Sequence, residues 1–243
     1  MPATPLSAMD DPLALAEAYL RSVRRSESAH EIAASLRDLP RERLHAALDG
    51  DAERLAFWLN VYNATAQSVL SADPAAFEAR SSFFRAPLVA VSGRDLSLDD
   101  VEHGMLRRSH PKWGFGYVPN PFSDAFERAF RVEERDPRIH FALNCGAASC
   151  PPIAAYEADR IDAQLDLASG GYLDSEAVYD AEAGVVTIPR LMLWFRGDFG
   201  GRRGILQFLR KYDAIPADVT PDIDYADYDW SLDAGRFAPV SEW

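Results

Sequence analysis

The feature that most constrains this fold is the segment 53–70, which reads as a helix with apolar residues on nearly every side. One wide stripe runs along it and comprises Leu55, Trp58, Leu59, Tyr62, Ala66, Val69 and Leu70. Phe57 and Val61 are apolar outside that stripe, so no broad face is left for solvent. A helix that is apolar all round is buried. We therefore predict that this segment forms the centre of the fold.

Three amides interrupt this apolar surface. Asn60, Asn63 and Gln67 follow one another at spacings of three and four, so they form a polar line along the predicted helix. Buried amides need hydrogen-bond partners. The line therefore either braces neighbouring loops or faces a ligand, and Asn60 and Asn63 are candidate binding residues.

The rest of the chain predicts further helices interrupted by short strand pairs. Helices are predicted over residues 12–24, 28–37, 40–48, 97–108, 156–173, 189–195 and 205–212, and hairpins over 87–98 and 177–188. A strand is predicted over 138–144 and a long loop over 109–122. Short strand pairs scattered among helices indicate an α+β fold. We predict one globular unit, with N-terminal helices (residues 1–50) packed on a core domain (residues 51–243).

The charge balance bears on partners and location. The chain carries 25 basic and 38 acidic residues, a net charge of −13, and its basic set contains only two lysines. Such a charge repels phosphate backbones, which disfavours nucleic acid and anionic membranes as partners. No apolar run approaches the roughly 20 residues that cross a bilayer. Residues 1–11 have no signal-peptide pattern, so we expect a cytoplasmic protein. Either GC-rich coding or adaptation to high internal salt would account for the acidic, lysine-poor composition.

The two cysteines, Cys145 and Cys150, lie in the segment with the most chemical potential. Two cysteines cannot form a disulfide framework, although the short loop between them would allow one disulfide. A thiol that follows a strand and precedes Gly146 suits a nucleophile, because backbone N–H groups nearby stabilise a thiolate and an oxyanion. A structural role for a buried cysteine is the alternative.

A thiol nucleophile needs a base. Strand alternation over 138–144 places His140 and Asn144 on the face opposite Cys145. His103, on the separate predicted helix that a Ser97/Asp100 capping box begins, is free of that objection, and Glu102 would orient its ring. The Asn144 amide or the Gly146 N–H would hold the oxyanion. A zinc site made from His140, Cys145 and Cys150 is a weaker alternative, because their spacing matches no common zinc pattern. We predict no cofactor.

Four blocks of sequence resemble the family known as domain of unknown function 547. They cover residues 56–64, 96–107, 140–152 and 193–200, and the segment 225–232 also fits. The family carries no assigned reaction, but the resemblance implies a site around Glu102-His103 and around Asn144-Cys145-Gly146. Arg107 and Asp198 also lie in these blocks. We predict that these two side chains form an ion pair. The alternative is that Arg107 binds a substrate carboxylate.

These residues support three hypotheses. The first is a thiol-dependent acyl or amide hydrolase or transferase that acts on a small molecule or peptide. Its arrangement would be similar to that of papain-like hydrolases by analogy only. The second is a non-catalytic binding or scaffold module, in which the same polar groups fix the fold. The third is a metal-binding protein.

Overall fold

A computed structural model describes residues 11–239. Four helices come first, α1 (Pro12–Arg24), α2 (His30–Arg37), α3 (Arg41–Ala47) and α4 (Asp51–Ala72). They are followed by α5 (Arg80–Arg85), α6 (Ala125–Phe130), α7 (Ile161–Glu176), α8 (Leu191–Trp194) and α9 (Gly201–Lys211). The strands are β1 (Val89–Val91), β2 (Arg94–Leu96), β3 (Val178–Asp180), β4 (Val185–Ile188) and β5 (Asp222–Tyr225).

Helix α4 is the buried centre of the fold, as predicted. Its residues 55–67 are all buried, and Trp58 donates its indole N–H to the Phe130 carbonyl at 2.9 Å. Helix α1 packs along it through Leu15, Ala16, Tyr19 and Leu20. Asp11 caps α1 by accepting the Leu13 N–H at 3.1 Å, and proline occupies the first helical position.

The strands form two small sheets, so the α+β class is confirmed. Strands β1 and β2 make one hairpin, and β3 and β4 make the other, both antiparallel. Strand β5 then joins β4 in a parallel pairing, with Val185 opposite Asp222 and Ile188 opposite Tyr225. The sequence predicted only hairpins. The parallel strand was missed because its partner lies more than thirty residues away and its own sequence is acidic.

The predicted strand over 138–144 is wrong, because Pro137–Phe141 forms a 3-10 helix. Asp136 accepts the Arg138 N–H at 2.9 Å, and Pro137 fixes a helical φ at the first position, so the chain enters a helical turn here. The apolar–polar alternation was misleading because His140 is as buried as its apolar neighbours.

Three predicted helices differ clearly from those observed. The helix expected over 205–212 spans Gly201–Lys211, so it begins at the Gly200-Gly201 pair.

The helix expected from residue 156 begins only at Ile161, because Asn60 binds both the N–H (2.9 Å) and the C=O (2.8 Å) of Tyr156 in place of helical partners. The helix expected over 97–108 begins with the predicted capping box. Ser97 N–H donates to the Asp100 carboxylate at 2.8 Å, and Asp100 N–H donates to the Ser97 hydroxyl at 3.0 Å.

The body of that last helix is a π-helix, Asp100–Leu106. The Arg107 N–H reaches back five residues to the Glu102 carbonyl at 2.9 Å, and the Ser109 N–H reaches the Gly104 carbonyl at 2.9 Å. Wide turns of this kind are rare and occur often at functional sites. Here the wide turn carries Glu102 and His103.

The C-terminal segment 226–239, which we call the strap, lies along the cysteine-containing loop 145–153. The Ala148 N–H donates to the Ser231 carbonyl (2.8 Å), and the Ile153 N–H donates to the Arg236 carbonyl (2.9 Å). The acidic segment 222–229 therefore lies against the domain, through β5 and the first part of the strap.

Within residues 11–239, no helix is long and apolar enough to cross a membrane. The predicted division at residue 50 stays a prediction, and residues 1–10 and 240–243 of its two parts lie outside the described residues. The prediction that residues 1–11 carry no signal peptide stays a prediction, because residues 1–10 lie outside the described residues.

Candidate functional site

One cavity of about 400 Å³ is lined by the three predicted catalytic residues, Glu102, His103 and Cys145, and by His140 and Cys150. Its walls are mainly aromatic, and its polar groups form two clusters, one of acids and imidazoles and one of thiols. The lining residues are Tyr62, Phe84, Asp99, Glu102, His103, Lys112, Trp113, Phe115, His140, Leu143, Cys145, Cys150, Pro151, Leu191, Trp194, Phe195, Tyr228 and Trp230. An apolar cavity of this size with a few convergent polar groups is typical of a small-molecule site.

The two thiols form a close pair in this cavity. Cys145 Sγ lies 2.7 Å from Cys150 Sγ, and both cysteines are free thiols. Two further donors point at Cys150 Sγ, the Cys145 backbone N–H at 3.1 Å and the Tyr228 hydroxyl at 3.3 Å. The same hydroxyl lies 3.7 Å from Cys145 Sγ. Hydrogen bonds therefore converge on the sulfur of Cys150.

These contacts separate the acidities of the two thiols. Burial acts to raise the pKa of Cys150, but hydrogen bonds from Cys145 and Tyr228 outweigh it and bring that pKa to about 7. The hydrogen bond to Cys150, together with burial, raises the pKa of Cys145 well above its ordinary value. The Cys145 N–H and the closer Tyr228 hydroxyl thus favour the thiolate on Cys150, with Cys145 as the thiol that donates to it.

The loop that carries the thiols owes its shape to Asn144 and Gly146. The Asn144 side chain accepts the Gly146 N–H at 2.8 Å and donates to the Pro151 carbonyl at 2.8 Å, so it ties both ends of the loop together. Gly146 has a φ of +93°, and a Cβ there would lie 2.3 Å from the Leu70 side chain. Both groups predicted to hold an oxyanion are engaged in building the loop.

The polar line on α4 serves the same loop. Asn63 donates to the Ala142 carbonyl and accepts the Asn144 N–H, both at 2.9 Å. Gln67 donates to the Asn144 side chain at 3.0 Å and accepts the Gly235 N–H of the strap at 2.7 Å. Asn60 binds the Tyr156 backbone as described above. Of the two roles predicted for the amides, the structure shows bracing, and it places neither Asn60, Asn63 nor Asn144 among the residues lining this cavity.

Glu102 is the carboxyl group most displaced from its ordinary acidity. It lines the cavity, and its side chain is 16% exposed. Burial raises its pKa to about 7, against the opposing charge of Arg107. A carboxyl that is half protonated near neutral pH can both donate and accept a proton during a reaction.

His103 is held as a neutral imidazole. Its Nδ1 lies 3.0 Å from Arg107 Nη1, and because a guanidinium only donates, Nδ1 accepts that bond. The ring proton is thus on Nε2, which lies 3.7 Å from Asp99 Oδ1. Burial, and next the charge of Arg107, lower the pKa of His103 well below its ordinary value. The ring is oriented by Arg107, whereas the prediction gave that role to Glu102, whose carboxylate lies 3.6 Å from Nδ1.

Asp198 holds together the charged side chains that lie beneath the cavity. Its carboxylate accepts from Arg107 Nε (2.6 Å), from Arg135 Nη1 (2.7 Å) and from His140 Nε2 (2.9 Å), and its side chain is 2% exposed. Burial acts to raise the pKa of Asp198, but His140 and Arg107 hold it well below its usual range. The predicted Arg107–Asp198 ion pair is confirmed. Arg107 is fully buried and is not among the residues that line the cavity.

His140 lies in the cavity wall with the cysteines. The strand-based expectation that it faces away from Cys145 is therefore wrong. Its ring stacks on Phe195 with centroids 4.0 Å apart and planes 7° apart. Among the described residues, no hydrogen bond joins a histidine to either sulfur; the sulfur partners are the other cysteine, Tyr228 and the Ala147 backbone N–H.

The arrangement gives no support to the zinc alternative. Within residues 11–239, no group of three or more His, Cys, Asp and Glu side chains is placed to hold a metal ion. The weak candidates His140, Cys145 and Cys150 have other partners, since His140 Nε2 binds Asp198 and the sulfurs contact each other.

Sequence reasoning missed Tyr228 and the aromatic mouth formed by Trp113, Phe115 and Trp230. Tyr228 and Trp230 lie in the segment 225–232 that resembles the family, so a signal existed. The sequence could not show that a residue 78 positions after Cys150 donates to its sulfur.

The protein is thus an α+β protein with a buried central helix and an aromatic cavity that contains two thiols. The chain belongs to the DUF547 family of proteins of unknown function, whose model matches residues 46–173, more than half of the 243 residues. The match includes Glu102, His103 and both cysteines, whereas Asp198 and Tyr228 lie beyond it. No curated protein and no solved structure matches the chain.

Proposed function

We propose that this protein is a thiol-dependent hydrolase or transferase that attacks the acyl group of a small molecule or peptide in the aromatic cavity. The observation that carries the proposal is the convergence of three donors on Cys150 Sγ: the Cys145 thiol (2.7 Å), the Cys145 N–H (3.1 Å) and the Tyr228 hydroxyl (3.3 Å). Donors around a sulfur stabilise the thiolate, which is the nucleophilic form.

The nucleophile in this proposal is Cys150. The sequence favoured Cys145 because of the glycine after it, but hydrogen bonding gives the more acidic thiol to Cys150. Cys150 is nearly inaccessible from outside the protein, and it lines the cavity. A substrate therefore reaches its sulfur by entering the cavity.

Glu102 is the proton-transfer group in this proposal, and His103 is a hydrogen-bond donor. His103 Nδ1 is occupied by Arg107, so its lone pair is not free to take a proton from a thiol or from water. Glu102 lines the same cavity, and its pKa of about 7 lets it change protonation state near neutral pH. Tyr62 lines the same cavity, and burial, followed by the charges of Glu102 and of both cysteines, raises the pKa of its hydroxyl.

The proposed reaction proceeds in two steps. The Cys150 thiolate attacks the acyl carbon, an S–C bond forms, and the bond to the leaving group breaks as the protonated Glu102 gives that group its proton. A water molecule, or another acceptor in a transferase, then attacks the thioester. The Glu102 carboxylate takes the proton of that molecule, and the S–C bond breaks to return the thiolate.

Release of 4-nitrophenolate from 4-nitrophenyl acetate tests this proposal. We expect a burst of one equivalent per chain, with the acetyl group on Cys150 by peptide mass spectrometry. Cys150→Ser abolishes the burst, and the matched variant Cys145→Ser retains it. Equal release by the wild type and Cys150→Ser would contradict the proposal and favour a non-catalytic binding module.

Dithiol–disulfide exchange is a second candidate, and the Sγ–Sγ separation of 2.7 Å favours it. Cys150 attacks an external disulfide, one thiol leaves, and Cys145 attacks the mixed disulfide to release a second thiol. Two electrons and two protons pass to the external disulfide. In this case Cys145→Ser is as inactive as Cys150→Ser when reduction of a small disulfide is followed. Either chemistry suits the reducing cytoplasm in which we expect the protein.

A further inference from the structure

Large aromatic side chains are left exposed where the cavity opens. Trp113 is 69% exposed and Phe115 is 42% exposed, and both line the cavity. Trp230 completes this mouth at 36% exposure. Exposed apolar surface that continues into a cavity marks a binding site more often than scattered surface residues do.

The chain holds Phe115 in place at the mouth of the cavity. Gly116 and Gly197 allow the loop 109–122 to cross the segment after α8, because a Cβ on Gly197 would lie 2.5 Å from the Gly116 carbonyl carbon. The Gly197 N–H also binds the Phe115 carbonyl at 2.8 Å. The Arg196 guanidinium stacks over the Phe115 ring, 4.1 Å from its centroid.

The polar lining supplies no free positive charge for an anion. Among the described lining residues, the ammonium group of Lys112 binds Asp99 at 2.8 Å. His103 carries no positive charge, because its imidazole is neutral. Glu102 adds a carboxyl group of its own. An anionic ligand would lose its hydration in this cavity without gaining an unpaired cationic partner among the lining residues.

We infer that the ligand of this cavity is an uncharged molecule with a flat apolar group, which stacks on Trp113 and Phe115 while its electrophilic carbon lies at the thiol pair. The second half of this inference rests on the proposed function, and the first half does not. The cavity of about 400 Å³ accommodates one molecule of that kind. Its aromatic walls match the flat group, and its thiols and Glu102 match the reacting end.

Alkylation rates at the thiol pair test the inference. The reagents are iodoacetamide, N-benzyl iodoacetamide and iodoacetate, each rate divided by that of N-acetylcysteine under the same conditions. We expect the benzyl reagent to be favoured about tenfold over iodoacetamide, which corresponds to one aromatic stacking contact. Iodoacetate should be the slowest of the three.

Two variants of the same loop make the test specific. Trp113→Ala should remove most of the preference for the benzyl reagent. Phe122→Ala should leave it unchanged, because Phe122 is 88% exposed and is not among the residues that line the cavity. A rate order led by iodoacetate, no benzyl preference, or equal effects of the two variants would overturn the inference.

A second measurement does not depend on thiol reactivity. Saturation-transfer NMR of the Cys150→Ser protein should show binding of N-benzylacetamide and not of phenylacetate, and Trp113→Ala should weaken that binding. If no reagent alkylates either thiol, the proposed function fails, and the NMR measurement still decides the ligand class. If phenylacetate binds as well as the amide, the ligand class is wrong even where the thiol is reactive.

Discussion

Two buried polar regions of this molecule lie side by side and are built in opposite ways. Along α4, the side-chain amides of Asn60, Asn63 and Gln67 are matched with backbone or side-chain partners at 2.7–3.0 Å. In the cavity, Glu102 and Cys150 are surrounded by apolar walls, and the pKa of each lies near 7. A buried polar group whose partners hold it in one charge state fixes a fold, whereas one whose pKa lies near neutral pH is suited to chemistry.

The Asp198 cluster belongs with the amides, as support for the cavity. It binds Arg107, Arg135 and His140 beneath the site, and Arg107 in turn fixes the His103 ring. Changes in the supporting groups should therefore cost stability, and changes in the cavity groups should alter pH dependence and reactivity at little cost. Four substitutions test this contrast.

The largest effect is expected for Asp198→Asn. It leaves Arg107 and Arg135 without a buried counter-charge, which should lower the free energy of unfolding by about 4 kcal/mol in urea at pH 7. Because the native pKa of Asp198 lies below its unfolded value, its stabilisation is present above about pH 4 and is lost as pH falls further. Asp227→Asn, at a fully exposed aspartate, should have almost no effect. Equal effects of the two variants would remove Asp198 from the supporting groups.

Asn63→Ala should be the next most costly. It leaves the Ala142 carbonyl and the Asn144 N–H buried without their partner, at about 3 kcal/mol in total. Ser71→Ala, on the exposed end of the same helix, should cost less than about 0.5 kcal/mol. A loss below about 1 kcal/mol for Asn63→Ala would mean that water replaces the amide and that bracing is not its role.

Glu102→Gln should stabilise the protein above pH 7, whereas the two substitutions above destabilise it. The native pKa of Glu102 is raised, so its protonated form favours folding at low pH, and stability falls as pH rises from about 4.5 to about 7. Burial of this carboxylate costs on the order of 2 kcal/mol at pH 8. Thermal unfolding from pH 4 to pH 8 should show a flatter profile for Glu102→Gln than for the wild type. Glu182→Gln, at an exposed position, should retain the wild-type slope.

Tyr228→Phe should give the smallest change in stability and a measurable change in the thiol. It removes one donor from Cys150 Sγ, so the pKa of Cys150 rises and alkylation at pH 7 slows about threefold to tenfold. The pH at which the alkylation rate is half-maximal should move upwards from about 7. Tyr179→Phe, on β3, is the matched control and should leave that value in place. An unchanged midpoint in Tyr228→Phe would assign the acidity of Cys150 to the contacts within its own loop, from Cys145 and the Ala147 N–H.

Local signals in the sequence predicted the parts of the fold that depend on neighbours in the chain. The apolar surface of α4, the Ser97/Asp100 capping box and both hairpins follow from residues within a few positions of each other. The strand predicted over 138–144 failed because His140 was counted as polar and exposed, whereas its bond to Asp198, 58 residues away, buries it.

The sequence predicted which residues lie near one another in the candidate site, but not which of them are in contact. Glu102, His103, Cys145 and Cys150 do line one cavity. Which thiol is more acidic depends on Tyr228, and which group orients His103 depends on Arg107 and its tie to Asp198. The Tyr228–Cys150 and Arg107–Asp198 contacts are long-range, and no spacing rule contains them. The Arg107–His103 contact spans only four residues, but several acidic and basic groups near His103 competed for that role. Roles were therefore harder to predict than location.

The strap gives the protein an order of assembly. Tyr228 is made 78 residues after Cys150, and contacts between such distant positions form late in folding because long loops must close first. Until the strap docks along loop 145–153, Cys150 has its contacts with Cys145 but lacks the Tyr228 donor. We therefore expect the sulfur to reach its full acidity only when the cavity that restricts access to it is complete.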